Sequence, residues 1–372
     1  RARMGDQIIV VCRGRFEDLP VVRTVTIGLR TLGFSVGLVV STINERNRSD
    51  LEGKGVRVRN VFTGRARTGV LGKLRDTLEF RREAWREVES VGEMVLWIAS
   101  GDTALALGDR LKRYRYVLQL NELYDRTWHY RAFLRTLAEH ASCVVVPERC
   151  RAAILHYWFS LNSLPEVLPN YPTVQERVRG QDLPSDSVKE ILGRMYQGVT
   201  PKIVIYQGHI ARDRDCRVVA QAVYELGRPW RFVAMGIDHK FMNLVRVVCP
   251  SVIQIDPIPS PDHLTVTSHA HIGVVVYARD SLNSLFCAPN KIWEYSCFGI
   301  PMLCANLPGL LSTVGLAEAG LCIDLQSVPV AADALLRIDR EYAVYSANAL
   351  RMYERVDVGK ILSAVIRRVF QT

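Results

Sequence analysis

Short apolar runs of about five residues, alternating with helical stretches, constrain this chain more than any other feature. Gln7 to Cys12 reads as a strand, and Val22, Val25, Leu29 and Leu32 then recur at helical spacing until Gly33. Ser35–Val40, Met94–Ile98, Tyr116–Leu120, Cys143–Val146 and Glu166–Leu168 continue the strand series, with helical stretches at 103–111, 130–140 and 149–158. Strands apolar on both faces and separated by helices belong in a parallel sheet covered on both sides. The stretch 42–90 fits this rhythm poorly, and is expected to hold a mobile or acceptor-facing segment followed by a charged helix at 72–90. A polar stretch at 173–200 with Gly180, Pro184, Ser185 and Ser187 then interrupts the pattern. The rhythm restarts at Lys202–Tyr206 and runs through 217–226, Trp230–Met235, Ser251–Ile255, 260–269, Ile272–Tyr277, 290–298, Met302–Ala305 and Leu321–Ile323. The fold class expected is therefore α/β, with two Rossmann-like domains. Their bounds are 1–175 and 201–355, with a linker at 176–200 and a last helix at 356–372.

Composition narrows the class. With 48% hydrophobic and 23% charged residues, the chain has the balance of a globular protein. It contains no apolar stretch of the roughly 18 residues a membrane span needs, and its opening residues show no signal-peptide pattern. Nine cysteines, an odd number without a Cys-x-x-Cys pair, read as reduced core residues of a cytosolic enzyme. The net charge of +10 is concentrated early, and residues 46–82 hold 11 Lys and Arg against 4 Asp and Glu. Valine, leucine and phenylalanine interrupt those cations. The segment suits an anionic membrane surface, and equally a polyanionic acceptor or a nucleic acid, with a solvated basic face as the plain alternative.

The stretch Ala288-Pro289-Asn290-Lys291-Ile292-Trp293-Glu294-Tyr295-Ser296-Cys297-Phe298-Gly299-Ile300-Pro301 carries the most chemistry. Asn290 is placed to cap a short helix, Gly299 to end it in a left-handed turn, and Pro301 to prevent its return. Lys291 in the first turn has the wrong sign for a helix N-terminus unless an anion lies between it and the backbone amides. Glu294, one turn on, is available to ligand hydroxyls. An ordinary helix with both residues solvated is the plain alternative.

A second stretch, Ile203-Val204-Ile205-Tyr206-Gln207-Gly208-His209-Ile210-Ala211-Arg212-Asp213-Arg214-Asp215, is a strand running into a glycine turn and a basic loop. Free backbone N–H groups at such an edge bind phosphates. Asp213-x-Asp215 also admits a metal-site reading, although arginines interleave the carboxylates and Asp215 sits where a helix N-cap belongs. His269-Ala270-His271 is another nominal metal pair, with turn histidines the simpler reading.

Asn-Lys-x-x-Glu-Tyr followed by Gly-x-Pro resembles the donor-binding helix of GT-B-fold glycosyltransferases, particularly the family-4-like group that builds bacterial polysaccharides and lipid-linked sugars. The resemblance implies two Rossmann-like domains facing across a cleft, with the C-terminal helix returning to the N-terminal domain. The apolar face Val358, Ile361, Leu362, Val365 and Val369 suits that helix. It further implies transfer of a sugar from a nucleotide-diphosphate donor such as a UDP-sugar, without a metal or a separate cofactor. Glu294 matches the glutamate that contacts the ribose. A second glutamate, eight positions earlier, ordinarily contacts the donor sugar. Here that position is Phe286, beside Ser284, so the sugar contact stays open.

The family's Gly-Arg-Leu-x-x-x-Lys diphosphate pattern, set from Gly208, brings His209 to the first basic position and Arg214 to the second, with Arg212 as a substitute. Arg214 and Lys291 are thus the expected stabilisers of the leaving diphosphate. Gly236 and Pro257, each after a strand, and Asn290 complete the donor-side candidates. In the first domain, Gly14 follows the opening strand between Arg13 and Arg15, and Asp102, Glu122 and His129 are candidate bases for an acceptor hydroxyl. The expected partners are the nucleotide sugar, a glycan or lipid-linked acceptor and an anionic membrane surface through 46–82, with no nucleic acid. The expected place is the cytoplasm, peripheral on the inner face of the cell membrane. A nucleotide-sugar 2-epimerase of the same architecture and a non-catalytic sugar-nucleotide-binding partner are the alternatives.

Overall fold

In a computed structural model, residues 6–62, 69–172, 176–182, 186, 189, 190, 193 and 200–371 are described. The chain divides into two compact units, the first made of 1–173 and 357–372, the second of 174–356.

Unit 1 holds a seven-stranded parallel sheet in the order β3-β2-β1-β4-β5-β6-β7. Its strands are β1 (Gln7–Arg15), β2 (Ser35–Thr42), β3 (Arg57–Asn60), β4 (Met94–Ile98), β5 (Tyr116–Gln119), β6 (Cys143–Val146) and β7 (Glu166–Val167). The inner strands are apolar on both faces because helices cover both. β1 has five consecutive buried residues, Ile8 to Cys12, in register with Val36–Val40 of β2. The last helix, Val358–Gln371, buries Leu362, Val365, Ile366 and Val369 in the same core as Val22, Val25 and Leu29 of the Pro20–Thr31 helix. Gly28 permits that approach, since a Cβ there would lie 2.5 Å from Leu362 Cδ1.

The stretch 42–90 has the expected charged helix but departs from expectation before it. It continues the strand–helix rhythm, with a helix at Glu45–Gly53, β3 at Arg57–Asn60 and a helix at Gly69–Glu89. The first helix buries only Asn47 and Leu51, and β3 is a charged edge strand, so neither shows a strong apolar period. Asn44 accepts a hydrogen bond from Asn47 N (2.8 Å) and caps that first helix.

Unit 2 repeats the plan with β8 (Lys202–Gln207), β9 (Trp230–Met235), β10 (Ile253–Ile255), β11 (Ile272–Val275), β12 (Met302–Ala305) and β13 (Gly320–Ile323), all parallel, in the order β10-β9-β8-β11-β12-β13. The chain steps outward one way from β8 through β9 and β10, then the other way from β11. β8 and β11 therefore flank a topological switch point, where loops part at the strands' C-terminal ends and ligands bind. The expected linker 176–200 lies partly outside the described residues. Within 176–182, Arg179 donates to Tyr342 Oη (2.8 Å) and Gln181 N to Ser268 Oγ (3.0 Å), both in unit 2. None of the nine cysteines forms a disulfide, and seven of them are buried.

Candidate active site

Two glycines shape the loop at the end of β8. Gly208 (φ +119°) donates its N–H to Met235 O at 2.9 Å, and Gly236 (φ +145°) packs on it so closely that a Cβ would fall 1.8 Å from Gly208 O. The missing side chain of Gly236 admits the Gly208 backbone. Gly208 in turn lies open toward Lys291. A Cβ there would stand 3.4 Å from Lys291 Nζ.

Lys291 reaches this point from the helix Asn290–Ser296, which ends as its residues predict. Gly299 is left-handed (φ +62°), its N–H bonds Ser296 O, and the Ile300 N–H bonds Tyr295 O, the two bonds of a Schellman cap. The start differs. Pro289, not Asn290, holds the extended cap position (φ −74°, ψ 148°), and Asn290 is already helical. Proline's fixed φ suits that position and it has no side-chain acceptor, so no side chain caps this helix.

Lys291 is only 6% exposed, and its Nζ has no hydrogen-bond partner among the described residues. It lies 4.2 Å from the centre of the Tyr206 ring and 5.6 Å from that of Tyr277. Arg214 extends over the other part of the same cluster, 5.2 Å from the Tyr277 ring centre, and its buried Nε is also without a hydrogen bond. Burial and then the Arg214 guanidinium push the Lys291 ammonium down to about 7, against a smaller opposing pull from Glu294. Aromatic faces offset part of a buried cation's lost hydration, but do not replace hydrogen bonds. Two cations converge on a backbone opened by Gly208, and an anion would complete them.

Glu294, 5% exposed, has both oxygens held. Oε2 accepts from Gln207 Nε2 (2.5 Å), Oε1 meets His263 Nε2 at 3.1 Å, and Gln207 Oε1 accepts from Thr267 Oγ1 at 2.8 Å. Burial alone would raise its pKa. His263, the Gln207 amide and Lys291 together outweigh burial and hold the carboxyl below its ordinary value. It is a fixed carboxylate in a polar network, not a solvated surface group.

No family model matches the chain, and no curated protein matches it by sequence. Among solved structures it is similar to the sucrose-phosphate synthase of Thermosynechococcus elongatus, with 17% identity and a TM-score of 0.72 over 98% of this chain and 99% of that one. HepE of Anabaena in complex with UDP-glucose gives 12% identity and 0.71 over 98% and 100%. The apo form of WaaB, a lipopolysaccharide outer core galactosyltransferase, gives 11% and 0.62 over 97% and 99%. The chain has the GT-B fold.

The remaining expected residues are spread more widely over this GT-B chain. His209 is at the site and pairs with His239, which carries no motif of its own. Arg212 is exposed on the short Arg212–Arg214 turn. Asp213 lies 3.7 Å from Arg214, and Asp215 forms a two-pronged pair with Arg217 while accepting the Arg217 N–H at 2.9 Å. Cys216 is the formal cap of the helix that follows, so Asp215 acts one residue early. Both carboxylates are thus committed to arginines. His269 bonds Gln181 O and His271 bonds Asp339, each at 2.8 Å, so the two histidines serve separate structural contacts. Ser284 is tied to Ser281, its N–H and hydroxyl at 3.1 and 2.9 Å from Ser281 Oγ. Pro257 is exposed in the coil after β10.

In unit 1, Gly14 packs toward Leu19, whose Cδ1 would be 2.9 Å from an added Cβ. Arg13 Nη2 donates to Thr77 Oγ1 at 2.8 Å. Asp102 follows β4 and Glu122 follows the neighbouring β5, so the two carboxylates stand at one edge of the sheet, where both, after burial, raise the Tyr124 phenol. Asp102 accepts the Tyr130 hydroxyl, and the Tyr124 and Tyr130 rings meet at a 32° tilt with centres 4.6 Å apart. Glu122 is half exposed, 3.9 Å from Arg151. His129 is exposed and edge-on to Trp128.

Proposed function

We propose that this chain is a glycosyltransferase that moves a sugar from a nucleotide-diphosphate donor to a hydroxyl of a glycan or lipid-linked acceptor, without a metal ion. The buried Lys291 ammonium, unbonded beside Arg214 at the switch point of unit 2, carries this reading. A leaving diphosphate gains negative charge as the glycosidic bond breaks, and preorganised cations stabilise that change without reorganising. Glu294, fixed through Gln207 and His263, is assigned the ribose hydroxyls. The UDP-glucose complex of HepE supports a UDP-sugar donor. Asp102 and Glu122, gathered around Tyr124, are the carboxylates proposed to take the acceptor's proton.

The setting we assign is cell-surface polysaccharide or glycolipid assembly, on the cytoplasmic face of a membrane to which the protein binds peripherally. Among the described residues no helix is long and apolar enough to cross a membrane. Of the basic segment 46–82, residues 63–68 lie outside the described ones. Arg48, Lys54, Arg57 and Arg59 are paired with Glu52, Asp50, Glu87 and Glu83. The support comes from the Gly69–Glu89 helix, whose first turns expose Val70 (84%), Leu71 (74%), Leu74 and Leu78 alongside Lys73 and Arg75. A groove of about 550 Å³ adjoins them, lined by Leu78, Arg81, Trp85 and by Arg82, Arg86 and Arg110, of which the last three are paired with Glu83, Glu83 and the groove's own Glu89. An apolar face edged with arginines suits an anionic bilayer.

Release of nucleoside diphosphate from a panel of nucleotide sugars, with and without polysaccharide and lipid-linked acceptors, tests the reaction. Acceptor-dependent release supports transfer. Release without acceptor together with an isomerised sugar nucleotide would indicate a 2-epimerase, and binding without release a non-catalytic partner.

A further inference from the structure

His209 Nδ1 and His239 Nε2 are 2.7 Å apart, with ring planes 6° from parallel and ring centres 5.0 Å apart. Nitrogens that close rule out face-to-face stacking, in which the rings cannot approach so far. The two imidazoles therefore lie edge to edge in nearly one plane, joined by one N–H···N bond. The ring chemistry then limits the states of the pair. One hydrogen occupies the bond between the rings. With both rings neutral, only one outer nitrogen, His209 Nε2 or His239 Nδ1, carries the other hydrogen. One added proton makes both outer nitrogens donors, and the charge is shared.

The charged surroundings act against that proton in the free protein. Around His209 stand Arg214 and Asp213 on the Arg212–Arg214 turn and Lys291 on the Asn290–Ser296 helix, while Asp238 and Lys240 flank His239 in its own loop. Burial, then Arg214, His239 and Lys291, hold His209 below the ordinary histidine value. Asp238 is engaged elsewhere, accepting the N–H groups of Phe241 and Met242 at 2.8 and 3.0 Å. A diphosphate at Arg214 and Lys291 reverses the sign of this local field.

We infer that His209 and His239 work as one unit that grips the donor diphosphate with two N–H donors, taking up a shared proton as the anion binds. His239 is thereby a diphosphate-binding residue in its own right. The inference rests on the nucleotide-diphosphate reading of this site.

Calorimetric titration of the full chain with UDP, GDP, pyrophosphate and uridine tests it, using wild type, His209→Ala, His239→Ala and the double variant. Each single variant should lose about tenfold or more in affinity for the phosphate-bearing probes, the scale of a charge-assisted hydrogen bond, with uridine unaffected. The double variant should lose little more than either single one, since breaking the pair once removes the shared proton. ¹⁵N spectra of the free protein should show the two facing nitrogens sharing one hydrogen. If His239→Ala binds UDP and pyrophosphate like wild type, or the two losses add in full, the pair's role is overturned while the diphosphate site stands. If wild type binds no nucleoside diphosphate and no pyrophosphate, the diphosphate reading itself falls, and the inference with it.

Discussion

Lys291 gives up hydration for an interior in which no described residue accepts its hydrogens. Its folded value of about 7, against an ordinary 10.5, makes the unfolded chain the better proton binder between those limits. Stability of the ligand-free protein should therefore rise with pH through that window, and Lys291→Met should flatten the rise. Thermal melts from pH 6.5 to 9 check this, and equal slopes in both proteins would refute it. Because a bound diphosphate restores the charge, donor affinity should fall as pH climbs above 7. Arg214→Ala and Lys291→Ala should also lower turnover by roughly a hundredfold, since they meet charge that grows in the transition state. Glu294→Gln should mainly raise donor KM, because ribose hydroxyls do not change on reaction. Steady-state kinetics and UDP titration separate the two patterns, and unchanged UDP affinity in all three variants would sink the assignment. Lys291, Glu294 and Arg214 were legible in the chain because local motifs carry them. Gln207, His263, Tyr277 and His239 were not. Gln207 and Glu294 are 87 residues apart, and only the strand order brings them together.

At the scale of elements, alternation of apolar runs with helical spacing located the buried strands, and Met94–Ile98, Cys143–Val146 and Trp230–Met235 stand where it put them. It missed β3 and the Glu45–Gly53 helix, whose residues bury too little to leave a period, and it gave no sign of the helices Val328–Arg340 and Tyr342–Glu354. Close backbone contact is equally silent in a sequence, and the Gly208–Gly236 approach shows why. An added Cβ at Gly236 would meet Gly208 O at 1.8 Å in a backbone conformation that only glycine adopts readily. Gly236→Ala should lower the melting temperature and weaken UDP binding together, because the turn that must move is the one beside Lys291. A drop in stability with full UDP affinity would detach this turn from the site. The exposed face of the Gly69–Glu89 helix carries its own expectation. The protein should float with vesicles containing anionic lipid more than with neutral ones, and less at high salt. Leu71→Glu with Leu74→Glu should abolish flotation and leave the melting temperature near wild type, since both side chains are exposed. Equal flotation of wild type and variant would remove the membrane role from this helix.

The whole molecule repeats one topology, with the order 3-2-1-4-5-6 in each unit and a seventh strand added in the first. That repetition was readable because the strand–helix rhythm stops near 173 and restarts at 202. The last helix is the element that a strictly local reading would misplace. It follows unit 2 in the chain yet belongs to the core of unit 1, as the family resemblance implied; its apolar face by itself says only that it needs a partner. The contact is close because Gly28 presents no side chain to Leu362. Gly28→Val should push the Val358–Gln371 helix outward and cost about 1–3 kcal/mol by overpacking, while Leu362→Ala should cost about 2–5 kcal/mol by leaving a cavity. Both changes act on unit 1, whereas Arg214, Lys291 and Glu294, proposed to hold the nucleotide, lie in unit 2. Thermal unfolding should therefore resolve a lowered transition in each variant that UDP does not restore, beside one that UDP still raises. Uniform loss of UDP affinity and of a single cooperative transition would show instead that the two units fold as one.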